Sequence, residues 1–243
     1  MRRLVDAAAL RPGEQVLDVA CDTGFVARLA AERVGAEGQV VGIDLNEAMI
    51  EAARAVSSMD TRDNIESRTG DVAALPFASA TFDVVVCQQG VQFFPHRVPA
   101  LREMRRVLHR DGRLAFTVWS AITDSPYSAA LADALDRHVS ADAGAMMRAA
   151  YALHDAVEVH RLVASAGFQR VRVHPAIEMT RLPLPGEFVP GHLASLPIAQ
   201  EIARLGADRQ AAIVEDATKA LRAYVDRDHV IVPAGVNVVT ADA

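Results

Sequence analysis

The first 120 residues alternate short β-rich runs with segments of helical period. The first run, QVLDVA (Gln15 to Ala20), is followed by a turn of small residues and by the helical segment GFVARLAAERV. A later run, TFDVVVCQ (Thr81 to Gln88), is almost entirely apolar, which is typical of a strand covered on both faces. Strands that alternate with helices pair in parallel through crossover connections. The pattern therefore predicts a doubly wound α/β fold with a mostly parallel sheet.

The other segments extend this prediction to seven strands, with the last strand antiparallel. A proline-rich segment, Leu182 to Pro197, predicts a loop or lid-like connection, and residues 198–225 predict a helical stretch. The segment 229–243 predicts a final strand that is interrupted near Pro233 and Gly235. The remaining strands are predicted at Gly38 to Leu45, near Thr69, at Asp111 to Trp119 with an Asp-Gly turn at its start, and at Gln169 to Met179. The remaining helices are predicted at Asn46 to Met59, with Asn46 as N-cap, and at 98–110, 125–150 and 153–168.

Charge and cysteine content exclude several classes of protein. A formal net charge of −6 and a pI near 5.7 argue against nucleic acid or an anionic membrane as the main partner. With only Cys21 and Cys87, the chain has no disulfide framework, and we expect two reduced, half-buried thiols. No histidine or acidic cluster has metal-ligand spacing, so we expect no metal. The sequence shows no signal peptide and no apolar run of about 18 residues, which predicts a cytoplasmic protein.

Five segments of the first half closely resemble the ordered motifs of class I S-adenosylmethionine-dependent methyltransferases. The similarity extends from about Leu10 to Trp119, and the nearest branch is the small-molecule group that includes the ubiquinone/menaquinone-type enzymes. The resemblance implies S-adenosylmethionine as cofactor and methyl transfer to the O, N or C atom of a small-molecule acceptor, by a monomer or homodimer. The segments are VLDVACDTG, VVGIDLNEAMIEAAR, GDVAALPF, FDVVVCQQGVQFFPH and LREMRRVLHRDGRLAFTVW.

The resemblance also implies a domain organisation. We expect a single domain over residues 1–243, with a cofactor-binding half (1–120) and a substrate-side half (121–243) that contains a helical insertion at 180–227. Related enzymes carry further helices ahead of the segment that corresponds to residues 1–14. Either the start is truncated, or the segment Leu182 to Pro197 covers the site instead.

Carboxylates at strand ends are the first candidates for cofactor binding. Ligands of open parallel sheets bind beyond the carboxyl ends of the strands, where the strand order reverses. Asp44, followed by Leu45, ends the second strand, and its carboxylate can accept hydrogen bonds from two ribose hydroxyls. The alternative role for Asp44 is to cap the next helix, but Asn46 already fits that role.

Four other residues near strand ends are candidates for the same site. By resemblance, the Asp71 side chain binds the exocyclic amino group of adenine, and the backbone N–H of Val72 meets a ring nitrogen; the alternative for Asp71 is a turn residue. Met49 covers the adenine or ribose, or is a core methionine. Gln88 ends the fourth strand, where its amide can contact the methionine moiety or the acceptor.

The loop after the first strand departs from the family pattern D-x-G-x-G-x-G, because it carries Asp18, Ala20, Asp22 and Gly24. Asp18 is expected to hold the loop and to face the ammonium group of the cofactor. Gly24 fits a position where a Cβ would intrude on a closely approaching helix. Asp22 replaces a glycine that lets the backbone approach the methionine moiety, so it turns to solvent, weakens binding or marks a protein that has lost methyl transfer.

Two other functions are alternatives to methyl transfer. An NAD-dependent enzyme shares the strand–loop–helix form, but Asp18 and Asp22 would repel a pyrophosphate at short range. A non-catalytic cofactor-binding or scaffold protein that kept the fold is consistent with Asp22 and with the short N-terminus.

The sequence identifies no catalytic residue. His96 and His192 are candidate bases, although a surface histidine is the simpler interpretation of each. Several aromatic residues are candidates for an apolar acceptor pocket, although most are expected in the core: Phe93, Phe94, Trp119, Tyr127 and Phe188.

Overall fold

The computed structural model describes residues 2–57 and 63–243. The strands are β1 (Gln15–Val19), β2 (Gln39–Asp44), β3 (Ile65–Thr69), β4 (Phe82–Gln88), β5 (Leu108–Trp119), β6 (Gln169–Pro183), β7 (Val225–Asp226) and β8 (His229–Asp242). The helices are α1 (Arg2–Ala7), α2 (Phe25–Val34), α3 (Glu47–Ser57), α4 (Arg97–Val107), α5 (Pro126–His138), α6 (Ala141–Ala149), α7 (Ala156–Ser165), α8 (Pro185–Ser195), α9 (Ala199–Ala203) and α10 (Ala207–Ala220).

The strands form one sheet in the order β3-β2-β1-β4-β5-β8-β6, and the two-residue β7 pairs antiparallel with β8. The pairs β3–β2, β2–β1, β1–β4 and β4–β5 are parallel. The predicted doubly wound, mostly parallel fold is confirmed, with β7 as an addition to the seven expected strands. Because β1 continues to β2 on one side and neighbours β4 on the other, the strand order reverses between β1 and β4. Ligands of such sheets bind at this position.

The chain divides into two compact units. The first contains residues up to Val118, Asp155–His174 and Asn237–Ala243. Its core includes a cluster in which buried residues of α1 and α2 pack on β1, β2 and β4, among them Leu4, Val5, Val16, Ala27, Val34, Val40, Val84 and Val86.

The second unit contains Trp119–His154 and Pro175–Val236. Its main cluster packs α5 and α6 with α8, α9 and α10 through buried residues that include Leu131, Leu135, Met147, Val189, Leu193, Ile202 and Ile213. The single domain expected from the sequence, with its two halves and the insertion at 180–227, stays a prediction.

Most predicted elements match the observed ones within a few residues, and Asn46 is the N-cap of α3. The Asn46 side chain accepts a hydrogen bond from the Ala48 N–H at 3.0 Å. The predicted end of this helix, Met59, lies outside the described residues. The predicted Asp-Gly turn lies inside β5 as an irregularity, because Phe82 pairs with Leu108 while Val84 already pairs with Arg113.

Four predictions for the second unit are wrong. The predicted helical segment 125–150 is broken into α5 and α6 by residues 139–140. The segment predicted as a loop or lid contains the helix α8, because burial of Val189 and Leu193 in the helical cluster outweighs the local effect of the prolines. The stretch 198–225 is broken into α9 and α10 by residues 204–206. The strand β8 is continuous, and Gly235 serves close packing instead of a break, since its Cβ would lie 2.0 Å from the Ser120 Oγ.

Pro190 lies inside α8, whereas Pro185 occupies its first turn. A proline inside a helix lacks a backbone donor and crowds the preceding turn, whereas a proline at the first position costs little. We expect Pro190→Ala to raise the free energy of unfolding by roughly 1–3 kcal/mol. Urea denaturation is the measurement, and Pro185→Ala is the matched control, with little or no gain expected. An equal gain from both substitutions would contradict a helix at this position.

Candidate functional site

A cavity of about 520 Å³ lies at the carboxyl ends of β1 and β4, where the strand order reverses. The loop after β1 forms one wall, and the end of β4 with the segment after it forms the other. Both walls belong to the first unit. The lining residues are Asp18, Ala20, Cys21, Asp22, Thr23, Phe25, Val26, Gln88, Gln89, Gly90, Phe93 and Phe94.

A smaller cavity of about 220 Å³ lies beside the first and shares Ala20, Phe93 and Phe94 with it. The residues that follow β2 and β3 line this smaller cavity. It therefore brings together four predicted site residues that are distant in sequence: Asp44, Leu45, Asp71 and Val72.

The Asp44 carboxylate connects two loops at this edge of the sheet. Its Oδ2 accepts a hydrogen bond from the Asp22 N–H at 3.0 Å, and its Oδ1 accepts one from the Asn46 N–H at 2.9 Å. Asp44 therefore supports the start of α3 as well as the loop after β1. Each carboxylate oxygen has two lone pairs, so both oxygens retain one for a further donor.

Asp71 is exposed, and its Oδ1 accepts a hydrogen bond from the Ala73 N–H at 2.8 Å. This contact caps a short 3-10 helix, Val72–Ala74, as the turn alternative had predicted. Because Asp71 also lines the smaller cavity, the structural role and a ligand-binding role are compatible.

The loop after β1 keeps the conformation for which its usual glycines are suited. Ala20, Asp22 and Gly24 have φ values of 54°, 50° and 74°. The left-handed region costs a residue with a Cβ roughly 1–2 kcal/mol. Ala20 and Asp22 therefore adopt the backbone geometry of the residues that they replace.

The predicted reason for Gly24 is wrong. A Cβ built on Gly24 would lie 3.4 Å from the Ala53 Cβ, which is ordinary van der Waals contact. The positive φ at the N-cap of α2 is what favours glycine there. The close approach lies elsewhere, since a Cβ on Gly90 would be 2.8 Å from the Ala20 Cβ.

Asp18 lies at the base of the larger cavity with 1% of its surface exposed. Neither carboxylate oxygen has a hydrogen-bond partner of normal geometry, although the Ala27 N–H favours the charged form. The prediction that Asp18 holds the loop is therefore wrong, since the Asp44 carboxylate binds the loop instead. Burial raises the pKa of Asp18 to about 8, and the nearby Asp44 carboxylate adds to this effect. Asp18 therefore holds a proton at neutral pH unless a cation enters the cavity.

Of the other predicted residues, two line the larger cavity and one lines neither cavity. Gln88 lines the larger cavity, and its Oε1 is buried without a hydrogen-bond partner. Asp22 is exposed and lines the same cavity. Met49 lies half-buried in the first turn of α3 but does not line either cavity.

The two candidate bases, His96 and His192, belong to different units. His96 is exposed just before α4, and His192 contacts the Tyr127 hydroxyl in the second unit. Both cysteines are free and fully buried instead of half-buried, and Cys21 lines the larger cavity.

Of the five aromatic candidates for an acceptor pocket, Phe93 and Phe94 line both cavities. The other three lie in the second unit, where Trp119 stacks on Tyr151 and Tyr127 packs edge-on against Phe188.

Sequence reasoning missed Thr23, Phe25 and Gln89 as lining residues. Gln89 has a φ of 54°, which is unusual for glutamine. Adjacency to Gln88 was the available signal, but the sequence does not reveal backbone strain.

Among the residues that the structure describes, no group of three or more histidine, cysteine, aspartate or glutamate residues is arranged to hold a metal. None of the described helices combines the length and apolar character that crossing a membrane requires.

Comparisons with known proteins point to one family. The profile of a family described as a methyltransferase domain matches residues 10–167. Nocamycin O-methyltransferase of Saccharothrix syringae is 40% identical over 116 residues, which are 48% of this chain and 41% of that protein. The ubiquinone/menaquinone biosynthesis C-methyltransferase UbiE of Ectopseudomonas mendocina is 30% identical over 184 residues, which cover 71% of this chain and 72% of that protein.

A solved structure extends the similarity to nearly the whole chain. It is phosphoethanolamine N-methyltransferase 2 of Haemonchus contortus in complex with phosphomonomethylethanolamine and S-adenosylhomocysteine, with a TM-score of 0.63. The match covers 99% of this chain and 51% of that one at 16% identity, so it shows the fold alone. The chain spans about half the length of several curated relatives that it matches, between 41% and 53%.

The buried Asp18 makes stability depend on pH. Its pKa is raised from 3.8 to about 8, so between these values the folded state retains a proton that the unfolded state has lost. The free energy of unfolding of the ligand-free protein should therefore fall as pH rises through this window. Asp18→Asn should flatten this dependence of unfolding free energy on pH. Relative to the wild type, the variant should gain most stability near pH 8.

Urea denaturation across about pH 5 to pH 8 measures this effect. The control is Asp111→Asn, which removes an exposed carboxylate in β5 and tests for an effect of net charge alone. Identical slopes for the wild type and Asp18→Asn would contradict the prediction.

Proposed function

Because this chain belongs to the class I S-adenosylmethionine-dependent methyltransferases, of the quinone-type branch, we propose that it transfers a methyl group from S-adenosylmethionine to a small-molecule acceptor. The observation that carries the proposal is the pair of adjoining cavities at the reversal of strand order, with carboxylates from three strand ends on their walls.

The residues present fit the cofactor. Among the described residues that line the two cavities, none is lysine, arginine or histidine, whereas four are aspartate. The buried Asp18 lacks a strong partner, and an ammonium or sulfonium cation would stabilise its charged form. An anionic pyrophosphate would be repelled at short range by Asp18 and Asp22, which disfavours a dinucleotide.

The smaller cavity fits the adenosine half of the cofactor. Asp44 would accept hydrogen bonds from the ribose hydroxyls, and Asp71 with the Val72 N–H would bind adenine. Leu45, which is 72% exposed, would pack against the nucleoside. This arrangement uses the lone pairs of Asp44 that its two backbone contacts leave available.

The larger cavity fits the methionine half. Asp18 and Gln88 would face the ammonium group, and Ala20, Asp22 and Gly24 would shape the loop around it. Met49 would contribute only by supporting α3, since it does not line either cavity. In this proposal, the first 120 residues hold the cofactor and residues 121–243 serve the acceptor within one domain.

When bound, S-adenosylmethionine supplies an electrophilic methyl group on a positively charged sulfur. The protein positions this cofactor and the acceptor for an in-line approach, which lowers the entropic part of the barrier. Phe25, Phe93 and Phe94 give the larger cavity an apolar wall that limits access of water. Proton removal is required only from an acceptor atom that carries a proton, and we assign no base.

We further propose that the protein acts in the cytoplasm on a small molecule, without nucleic acid as a partner. The net charge of −6 and the acidic cavities argue against nucleic acid as a partner.

The proposal is tested by calorimetric titration with S-adenosylmethionine and S-adenosylhomocysteine. We expect binding of both, and Asp44→Ala should weaken it at least about tenfold, because it removes a charged acceptor for ribose and the support of the loop. Glu47→Ala, an exposed residue in the first turn of α3, is the control and should bind as the wild type does.

Absence of binding and of a thermal shift with either compound at millimolar concentration would favour a non-catalytic scaffold. If the protein binds S-adenosylmethionine but forms no S-adenosylhomocysteine with any tested acceptor, it is a cofactor-binding protein that does not transfer methyl groups.

Asp22→Gly tests the departure from the family pattern. Glycine adopts the φ of 50° without strain, and the substitution removes a carboxylate beside the expected position of the cofactor carboxylate. We expect tighter S-adenosylmethionine binding and a gain of about 1 kcal/mol in unfolding free energy. An unchanged or weaker calorimetric affinity would refute interference by Asp22.

A further inference from the structure

The larger cavity offers acidic and neutral polar groups to a ligand that is a zwitterion at its amino-acid end. Asp18 suits an ammonium group, but the ligand's carboxylate needs donors. Since the described lining residues include no basic side chain, these donors must be backbone N–H groups, amides or a hydroxyl. Two side-chain amides, Gln88 and Gln89, line the cavity.

The two amides present opposite polarity to a ligand. The Gln88 Oε1 is buried without a hydrogen-bond partner, so this oxygen can accept a hydrogen bond from a ligand. The Gln89 Oε1 already accepts a hydrogen bond from the Gln92 Nε2 at 2.9 Å. The Gln89 Oε1 therefore already has one donor, whereas no hydrogen bond between the described residues uses the Gln89 NH₂ group, which is available for a further contact.

The position of Gln89 is fixed by its backbone and by Gln92. Gln89 has a φ of 54°, and its N–H donates to the Thr117 carbonyl of β5 at 2.9 Å. Gln92 is only 4% exposed, and its backbone carbonyl accepts a hydrogen bond from the Arg97 guanidinium at 3.0 Å. A non-glycine residue held at positive φ beside a cavity costs stability, and such strain occurs often at functional sites.

We propose that the Gln89 side-chain NH₂ binds the carboxylate of the methionine moiety, with Gln92 as a positioning residue that orients it. This inference rests on the proposed function. It divides the two charges at the amino-acid end of the ligand between different residues: Asp18 and Gln88 accept from the ammonium group, and Gln89 donates to the carboxylate. Gln89 thereby makes up for the missing basic residue.

Calorimetry with two probes tests the assignment. S-adenosylhomocysteine carries the carboxylate, whereas 5′-methylthioadenosine has the same nucleoside without the amino-acid part. Gln89→Gly suits the positive φ and removes the amide, and it should weaken S-adenosylhomocysteine roughly 10- to 100-fold. Gln89→Glu should weaken it at least as much, because it places two carboxylates together. Both variants should bind 5′-methylthioadenosine within about twofold of the wild type.

Gln92→Leu tests the positioning role. It should weaken S-adenosylhomocysteine less than Gln89→Gly does and leave 5′-methylthioadenosine unchanged, a difference that a loss of folding would not produce. Gln39→Ala, at the start of β2 and thus at the opposite edge of the sheet, is the matched control and should change neither affinity.

Several outcomes would overturn the inference while the proposed function stands. These are equal loss of both probes in Gln89→Gly, no loss of either, or a loss of S-adenosylhomocysteine in Thr23→Val but not in Gln89→Gly, which would assign the carboxylate to the Thr23 hydroxyl. If the wild type binds neither probe, the proposed function itself fails.

Discussion

The carboxylate of Asp44 holds the candidate site together. It accepts the Asp22 N–H of the loop after β1 and the Asn46 N–H at the start of α3. A hydrogen bond to a charged acceptor contributes about 1.5–3 kcal/mol, and a residue with positive φ costs roughly 1–2 kcal/mol. The bond to Asp22 is therefore large enough to offset the strain of that residue. In the proposed function, the group that shapes the loop is also the one that accepts from ribose, so loop conformation and nucleoside binding would depend on the same carboxylate.

The larger cavity shows how burial prepares a site for a cation. Asp18 is buried beside another carboxylate, and no strong hydrogen bond compensates it. The ligand-free protein avoids the cost of a buried charge because the raised pKa of Asp18 keeps a proton on it. A cation that enters the cavity replaces this proton as the partner of the carboxylate. In the proposed function, selectivity for a sulfonium or ammonium ligand would thus arise from the absence of basic lining residues as much as from the Asp18 carboxylate.

The sequence predicted the parallel part of the sheet well because β1, β2 and β4 are short, apolar and separated by helices of clear period. The strand-end residues Asp44 and Asp71 were predictable too, because parallel strands bring their carboxyl ends to one edge. The helix α8 was not, since its stability comes from burial of Val189 and Leu193 among distant helices, which local proline signals do not reveal. Gln89 was missed for a related reason: its proposed role depends on a backbone angle and on a contact with Gln92.

The loop after β1 shows that a departure from a family pattern in sequence need not be a departure in structure. Ala20 has the φ that glycine would have, and its Cβ lies close to the place where a Cβ on Gly90 would be, 2.8 Å away. A side chain at position 90 would therefore compete with the methyl group of Ala20, and glycine there leaves room for it. Of these two closely spaced positions, position 20 carries a methyl group and position 90 carries the glycine. Asp22 has no such counterpart, but it is exposed and its N–H is bound by Asp44, so its side chain is free of packing constraints while its backbone is not. The effect of Asp22 on a ligand is accordingly one of charge and excluded volume, and the loop itself keeps its shape.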